Sequence, residues 1–223
     1  MSHPAPERLV VPGHDGPIEI LVEAPRGDIH GIALVAHPHP LFGGTLDNKV
    51  VQTLARAFRD LGLVAIRPNF RGVGQSAGTH DEGEAETEDQ LAVLDWAFQR
   101  YGDLPVTLGG FSFGAYVTTR VAARLASSRR PVHGMVLAGL AAGGVEGIRH
   151  YTPEAVPEDA LLIHGQDDEV VPLANVLAWA APQNLPVSVL GGTGHFFHGK
   201  LTVLRTIIHR ALAHRVGAGA EQP

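Results

Sequence analysis

The sequence predicts an α/β fold in which a mostly parallel sheet is covered by helices on both faces. Short continuous apolar runs, such as Ile32–Ala36 and Leu63–Ile66, are typical of strands buried on both faces. Longer segments with apolar residues three and four apart, such as Asn48–Leu61, alternate with these runs and indicate helices. Such alternation through short connections favours parallel strand pairing. We therefore expect one domain over residues 1–223.

Turn and cap signals locate the elements of the first half of the chain. Gly13–Gly16 is typical of a hairpin turn and precedes a strand over Ile18–Ala24. Gly62 directly follows the helical pattern of Asn48–Leu61, as expected of a helix C-terminus. Glu84–Tyr101 begins with several acidic residues, which suit the positive end of a helix dipole.

The second half continues the alternation of strands and helices. The predicted strands are Val106–Gly109, Val132–Ala138, Ala160–His164 and Val187–Leu190, and the predicted helices are Ala115–Ala126, Pro172–Ala181 and Leu201–His214. Fewer than two dozen residues separate Ala142 from the strand at Ala160, so we expect no cap domain over the sheet edge. The segment Gly217–Pro223 is predicted to be a mobile tail.

Composition describes a globular chain and argues against several function classes. Hydrophobic residues make up 44% and charged residues 18%, which is too little charge for a disordered chain. The net charge of -6 disfavours nucleic acid and anionic membranes as partners. The absence of cysteine excludes a disulfide framework and a thiolate nucleophile. Because the N-terminus lacks a signal-peptide core, we expect a cytoplasmic protein, whose oligomeric state is left open.

A glycine-flanked serine lies between a predicted strand and a predicted helix. Gly110–Gly114, of sequence Gly-Phe-Ser-Phe-Gly, joins Val106–Gly109 to Ala115–Ala126. A serine that attacks a carbonyl must stand clear of its own backbone. A very tight strand-to-helix turn achieves this, and it leaves room only for small residues two before and two after the serine. The context therefore predicts that Ser112 is a nucleophile.

A candidate base and candidate acids follow Ser112 along the chain. A nucleophilic serine needs a base within hydrogen-bond reach and a group that orients the base. His195 lies on a glycine-rich loop directly after a predicted strand and is the candidate base. Asp167 and Asp168 follow the buried strand that ends at His164, where the functional groups of open α/β sheets collect. Either aspartate is a candidate for the orienting acid.

These motifs and their order resemble those of the α/β-hydrolase superfamily, in particular the small lidless bacterial serine hydrolases near the dienelactone-hydrolase branch. The resemblance covers nearly the whole chain and implies an α/β-hydrolase fold. In such enzymes the acid follows the strand-end glycine by three residues and precedes Val-Val-Pro by two, which favours Asp168 over Asp167. The segment Asn69–Ser76 resembles the family's Arg-Gly-x-Gly-x-Ser segment, in which we expect Arg71 to pin the loop.

The resemblance also implies an oxyanion hole made of two backbone N–H groups. One is expected from Phe113, directly after the nucleophile. The other is expected from the loop after the predicted strand Ile32–Ala36, in which Pro38 and Pro40 have no N–H to offer. Related hydrolases use the residue two after the strand-end histidine, which is His39, and Leu41 remains the alternative.

The sequence thus predicts a serine hydrolase that cleaves small carboxylic esters, with Leu41, Phe42, Phe111 and Phe196 as candidate pocket residues. We expect no cofactor and no metal, because the Asp-His that zinc hydrolases place after a His-x-His is replaced here by Pro40–Phe42. The same triad could instead act on peptides, thioesters or lactones, or transfer acyl groups. A binding protein that has lost activity is a further alternative.

Overall fold

A computed structural model describes residues 3–145 and 149–217, and it is organised around one eight-stranded sheet. Its strands are β1 (Glu7–Gly13), β2 (Gly16–Glu23), β3 (Gly31–Ala36), β4 (Leu63–Pro68), β5 (Val106–Phe111), β6 (Val132–Ala138), β9 (Leu161–Gly165) and β10 (Val187–Leu190). The order across the sheet is β1-β2-β4-β3-β5-β6-β9-β10. β1 pairs with β2 and β2 with β4 in antiparallel fashion, whereas the other neighbours pair in parallel. This confirms the mostly parallel sheet.

Helices cover both faces of the sheet, as predicted. They are α1 (Lys49–Asp60), α2 (Glu84–Tyr101), α3 (Phe113–Ser127), α4 (Leu173–Ala180) and α5 (Leu201–Gly217). α1 and α5 share one apolar core with one face of the sheet, and α2, α3 and α4 share a second core with the other face. None of these helices, within the described residues, is long and apolar enough to cross a membrane. The element ends lie within three residues of the predicted ones.

Three strands were missed by the sequence interpretation. β1 is mostly exposed and pairs with β2 across the predicted turn, where Gly13 lies opposite Gly16. The other two, β7 (Gly143–Val145) and β8 (Arg149–Tyr151), form a separate short hairpin. No helix occurs in the described parts of the β6–β9 connection, residues 139–145 and 149–160, in line with the expected absence of a cap. Beyond Gly217, the predicted tail lies outside the described residues.

Parallel pairing brings four loops to one edge of the sheet. Because β3, β5, β9 and β10 run in the same direction, the segments that follow them emerge at their common carboxyl edge. These segments carry His39, Ser112, Asp168 and His195, which are far apart along the chain. The fold therefore collects the predicted site residues at one edge.

Candidate active site

Ser112 lies at a sharp turn between β5 and α3. Its φ is 58° and its ψ is -120°, a backbone conformation that costs a non-glycine residue roughly 1–3 kcal/mol. A Cβ at Gly110 would overlap the carbonyl of Gly114, and one at Gly114 would overlap the carbonyl of Ala36. Small residues on both sides are therefore required, as expected from the sequence. The Ser112 N–H donates to Ala138 O at 3.0 Å, which fixes the turn to β6.

A continuous chain of hydrogen bonds joins Ser112 to a buried carboxylate. The distance from Ser112 Oγ to His195 Nε2 is 2.9 Å, and that from His195 Nδ1 to Asp168 Oδ2 is 2.8 Å. The Nδ1–H donates to the carboxylate, which leaves Nε2 free to accept the serine proton. All three residues are buried. The geometry is that of a nucleophile, a base and an orienting acid.

Asp168, and not its neighbour Asp167, is the carboxylate that contacts His195. Asp168 Oδ1 accepts from the N–H groups of Val170 and Val171, at 3.0 and 2.7 Å, and these two bonds turn Oδ2 towards His195. Asp167 is exposed. Burial by itself raises the pKa of Asp168, but the hydrogen bond from His195, its charge and the Val171 N–H outweigh burial, so that the pKa is lowered overall.

A second imidazole also contacts Asp168. His164 Nε2 lies 2.9 Å from Val171 O and 3.2 Å from Asp168 Oδ2. Because both neighbours are acceptors, Nε2 carries the proton, and burial lowers the pKa of His164 so that the ring stays neutral. His164 Nδ1 is buried without a hydrogen-bond partner in the described structure. The sequence indicates only a strand-end histidine that can serve as a hydrogen-bonding scaffold, and no local signal identifies Asp168 as its partner.

Two backbone N–H groups near Ser112 are available to a ligand. Within the described residues, the N–H groups of Phe113 and His39 donate to no protein acceptor. The Leu41 N–H, in contrast, donates to His39 Nδ1 at 3.3 Å. The rings of His39 and Phe113 lie 4.9 Å apart, so the two segments that carry the free N–H groups are in contact. This favours His39 over Leu41 as the second oxyanion donor, which stays a prediction.

His37 anchors the loop that carries His39. Its Nε2 accepts from the Phe70 N–H at 2.8 Å, so its Nδ1–H donates to Pro38 O at 2.6 Å. Burial lowers the pKa of His37 to about 4, against a weaker opposing effect of the Pro38 carbonyl. The neutral ring therefore ties the loop after β3 to the end of β4.

The four residues predicted to line a pocket do not share one environment. Leu41 and Phe42 are 70% and 67% exposed, and Phe196 is 43% exposed. Phe111, however, is fully buried, and its ring lies 4.9 Å from that of His195. As the last residue of β5, it points into the core under α1 and α5. Its assignment to the pocket is therefore corrected: Phe111 packs against the ring of His195 from the side of the core.

A cavity of about 420 Å³ opens beside His39. This size falls within the usual range of small-molecule sites, roughly 300–1,000 Å³. Its described lining residues are His39, His80, Glu82, Tyr116, Arg149, His150 and Tyr151. We call this cavity the tyrosine pocket. Sequence reasoning found only His39 among these residues, because the others are divided among the loop after β4, α3 and β8 and form no local motif.

Comparisons with known proteins agree with the fold. The family described as alpha/beta hydrolase fold matches residues 29–146. The chain is 40% identical to an alpha-beta serine hydrolase homologue from Coxiella burnetii, with 93% of this chain and 97% of that chain covered and a TM-score of 0.81. It is 34% identical to a serine hydrolase without lid from Xanthomonas campestris, with 94% of each chain covered and a TM-score of 0.80.

Two curated relatives add to this picture. A Rickettsia prowazekii protein, itself described as uncharacterized, is 32% identical over 82% of this chain and 83% of its own length. The lysophosphatidylserine lipase ABHD12 of Gallus gallus is 30% identical over a matched region. This region covers 55% of this chain and 31% of the length of that lipase. The dienelactone-hydrolase branch stays a prediction. The chain belongs to the alpha/beta-hydrolase family, and its fold together with its serine-hydrolase neighbours supports a hydrolytic activity.

Proposed function

We propose that this protein is a serine hydrolase that cleaves carboxylic esters through an acyl-enzyme. The observation that carries the proposal is the unbroken hydrogen-bond chain from Ser112 through His195 to Asp168. The strained backbone at Ser112 supports it, because such strain persists where the surrounding structure enforces an unusual position.

The proposed reaction proceeds in two steps. Ser112 Oγ attacks the acyl carbonyl while His195 Nε2 takes its proton, and Asp168 stabilises the imidazolium that forms. His195 then gives this proton to the leaving alcohol, so that the C–O bond breaks and an acyl-serine remains. His195 then takes a proton from a water molecule, which attacks the acyl-serine; the bond between the acyl carbon and Ser112 Oγ breaks, His195 returns the proton to Oγ, and the acid is released. The N–H groups of Phe113 and His39 are the proposed donors to the oxyanion in both steps.

We propose small, short-acyl esters as substrates. The described part of the β6–β9 connection holds only a short hairpin, so no helical cap forms an enclosed channel for a long chain there. Hydrolysis rates of p-nitrophenyl esters from acetate to decanoate measure this preference. A clear preference for the long chains would contradict it.

The proposed chemistry can be tested with a fluorophosphonate probe and the same ester panel. Wild type should be labelled and should hydrolyse the short esters, whereas Ser112→Ala should do neither. Ser128→Ala is the matched control, because Ser128 is an exposed serine beyond the end of α3. A folded wild-type sample that is not labelled would favour the inactive binding protein instead. Thioester, lactone and peptide substrates and an added acyl acceptor in the panel separate ester hydrolysis from the other uses of the triad.

A second candidate function is hydrolysis of a lysophospholipid. It is favoured by the three exposed apolar side chains near the site, Leu41, Phe42 and Phe196, which could contact an acyl chain or a lipid surface. The name of the ABHD12 relative points in the same direction. Hydrolysis of a lysophosphatidylserine above the rate on short p-nitrophenyl esters would favour this candidate over the first.

A further inference from the structure

We propose that the tyrosine pocket binds the acyl part of the substrate and selects a planar aromatic acyl group that carries a neutral hydrogen-bonding substituent. This inference rests on the proposed ester hydrolysis and names its substrate class. It depends on three properties of the pocket: its position relative to Ser112, the rings in its wall, and the balance of its charges.

The position of the pocket assigns it to the acyl group. Its described walls come from the loops after β3 and β4, from α3 and from β8, and not from the loop that carries His195. His195 packs on the other side of the site, where its ring lies 4.9 Å from Phe111 and 5.2 Å from Phe196. The leaving group must lie at His195, which protonates it. The acyl group of the same ester therefore extends in the opposite direction, past His39.

The buried floor of the pocket is a cluster of aromatic rings. His39, Tyr116 and Tyr151 are buried and line the cavity. The rings of Tyr116 and Tyr151 are 5.1 Å apart, and each lies 5.9 Å from the ring of Phe113 beneath them. Aromatic rings associate at centroid distances of about 4.5–7 Å in tilted or offset arrangements. A flat ring can continue this cluster, whereas a puckered ring of the same size cannot match its geometry.

The charges around the pocket favour a neutral ligand. Arg149 and Glu82 both line it, so that the described lining carries one cationic and one anionic side chain. Burial, together with the charges of His80 and Arg149, lowers the pKa of His39 to about 4, so its ring is neutral near pH 7. Burial also raises the pKa of Tyr151, which keeps its hydroxyl protonated. The pocket thus offers hydroxyl and imidazole groups to a hydroxyl substituent, without a net charge that would select an acid or an amine.

A matched pair of esters tests the aromatic preference. Benzoate and cyclohexanecarboxylate p-nitrophenyl esters share one carbon skeleton and one leaving group but differ in planarity. Each kcat/KM is divided by the rate of hydroxide-catalysed hydrolysis of the same ester, which removes the difference in intrinsic reactivity. We expect wild type to prefer benzoate by roughly three- to tenfold. We expect a further gain of about tenfold for 4-hydroxybenzoate.

Variants at Tyr151 test the contact itself. Tyr151→Phe keeps the ring and removes the hydroxyl, so it should abolish the advantage of 4-hydroxybenzoate over benzoate and preserve that of benzoate over cyclohexanecarboxylate. Tyr151→Leu should remove both advantages. Tyr101→Phe, on α2 and outside the pocket lining, is the matched control and should keep both ratios at their wild-type values.

The outcomes separate this inference from the proposed function. If p-nitrophenyl acetate is hydrolysed in a Ser112-dependent way but both wild-type ratios equal one, the inference is wrong and the proposed function stands. The same holds if Tyr151→Leu changes the rates of all esters by one common factor. If no ester is hydrolysed and the fluorophosphonate probe fails to label Ser112, the proposed function fails and the inference falls with it.

Discussion

Two loops at the carboxyl edge of the sheet each involve a buried carboxylate, but only one of these carboxylates is linked to Ser112, through His195. After β4, Arg71 binds Asp89 through Nε and Nη2, at 2.9 and 3.2 Å, and also binds Asp15 at 2.9 Å. After β9, Asp168 binds His195, whose second nitrogen faces Ser112. Both pairs are buried.

The difference lies in the partner of each carboxylate. A guanidinium stays protonated and directs all its polar atoms outwards as donors, so the Arg71 pair can only hold the loop and α2 together. This agrees with the expectation that Arg71 pins the loop. An imidazole exchanges a proton near neutral pH and has a nitrogen to spare for a nucleophile. The two loops therefore share a buried, hydrogen-bonded carboxylate, and they differ in that only the partner of Asp168 has a second nitrogen, which faces Ser112.

The largest expected effect is a loss of activity on changing Asp168, in the loop after β9. Asp168→Asn should lower kcat by about 10⁴-fold, because an amide stabilises the wrong tautomer of His195. Asp167→Asn is the matched control, since Asp167 is exposed and is expected to keep wild-type activity. Steady-state kinetics on p-nitrophenyl acetate measure both variants. Equal losses in the two would contradict the assignment of Asp168.

The next largest effect is expected on the stability of the protein when Arg71, in the loop after β4, is changed. Arg71→Met leaves Asp89 buried without its cation, which should lower the free energy of unfolding by about 3–5 kcal/mol. Urea unfolding measures this loss. The double variant Arg71→Met/Asp89→Leu should recover part of it, because it removes the unpaired charge as well. The kcat of the folded fraction should stay within about threefold of wild type, since the pair makes no contact with Ser112. A loss of kcat as large as that of Asp168→Asn would contradict a purely structural role for the pair of Arg71 and Asp89.

A smaller effect is expected from lowering the pH. The pKa of His37 is about 4 in the folded chain and 6.5 in the unfolded one, so its stabilisation is complete above pH 6.5 and is lost as the pH falls to 4. The free energy of unfolding should fall by about 3 kcal/mol from this group over that window. Unfolding in urea at several pH values measures the slope, which should be shallower in His37→Gln. The same slope in both proteins would show that His37 is not the group responsible.

The smallest effect on stability is expected at Leu41, an exposed residue in the loop after β3. Leu41→Ala should change the free energy of unfolding by less than about 0.5 kcal/mol, because its side chain is 70% exposed. The measurement is again urea unfolding, paired with the ester panel, in which any loss should grow with acyl length. Val203→Ala, another exposed apolar residue but on α5, is the control and should leave the panel unchanged. A loss in kcat on acetate equal to that on decanoate would argue against a rim contact with the acyl chain.

Local signals explain why much of the fold was predictable. β3 and β4 are buried on both faces and read as apolar runs, and Asn48 caps α1 by accepting from the Val50 N–H at 2.9 Å. β1 was missed because it is an exposed edge strand without a clear alternation of apolar residues. The hairpin of β7 and β8 was missed because three-residue strands have too few positions to show a period.

The sequence by itself determined the alternation of elements, the sharp turn at Ser112 and the candidate identities of His195 and Asp168. These features depend on neighbouring residues, because strand runs, glycine requirements and loop positions are local. Only the tertiary structure decided that Phe111 lies behind His195, that His164 shares Asp168, and that Tyr116 and Tyr151 meet beside His39. The physical reason is that a contact between distant segments depends on strand order and side-chain direction, which no short stretch of sequence specifies.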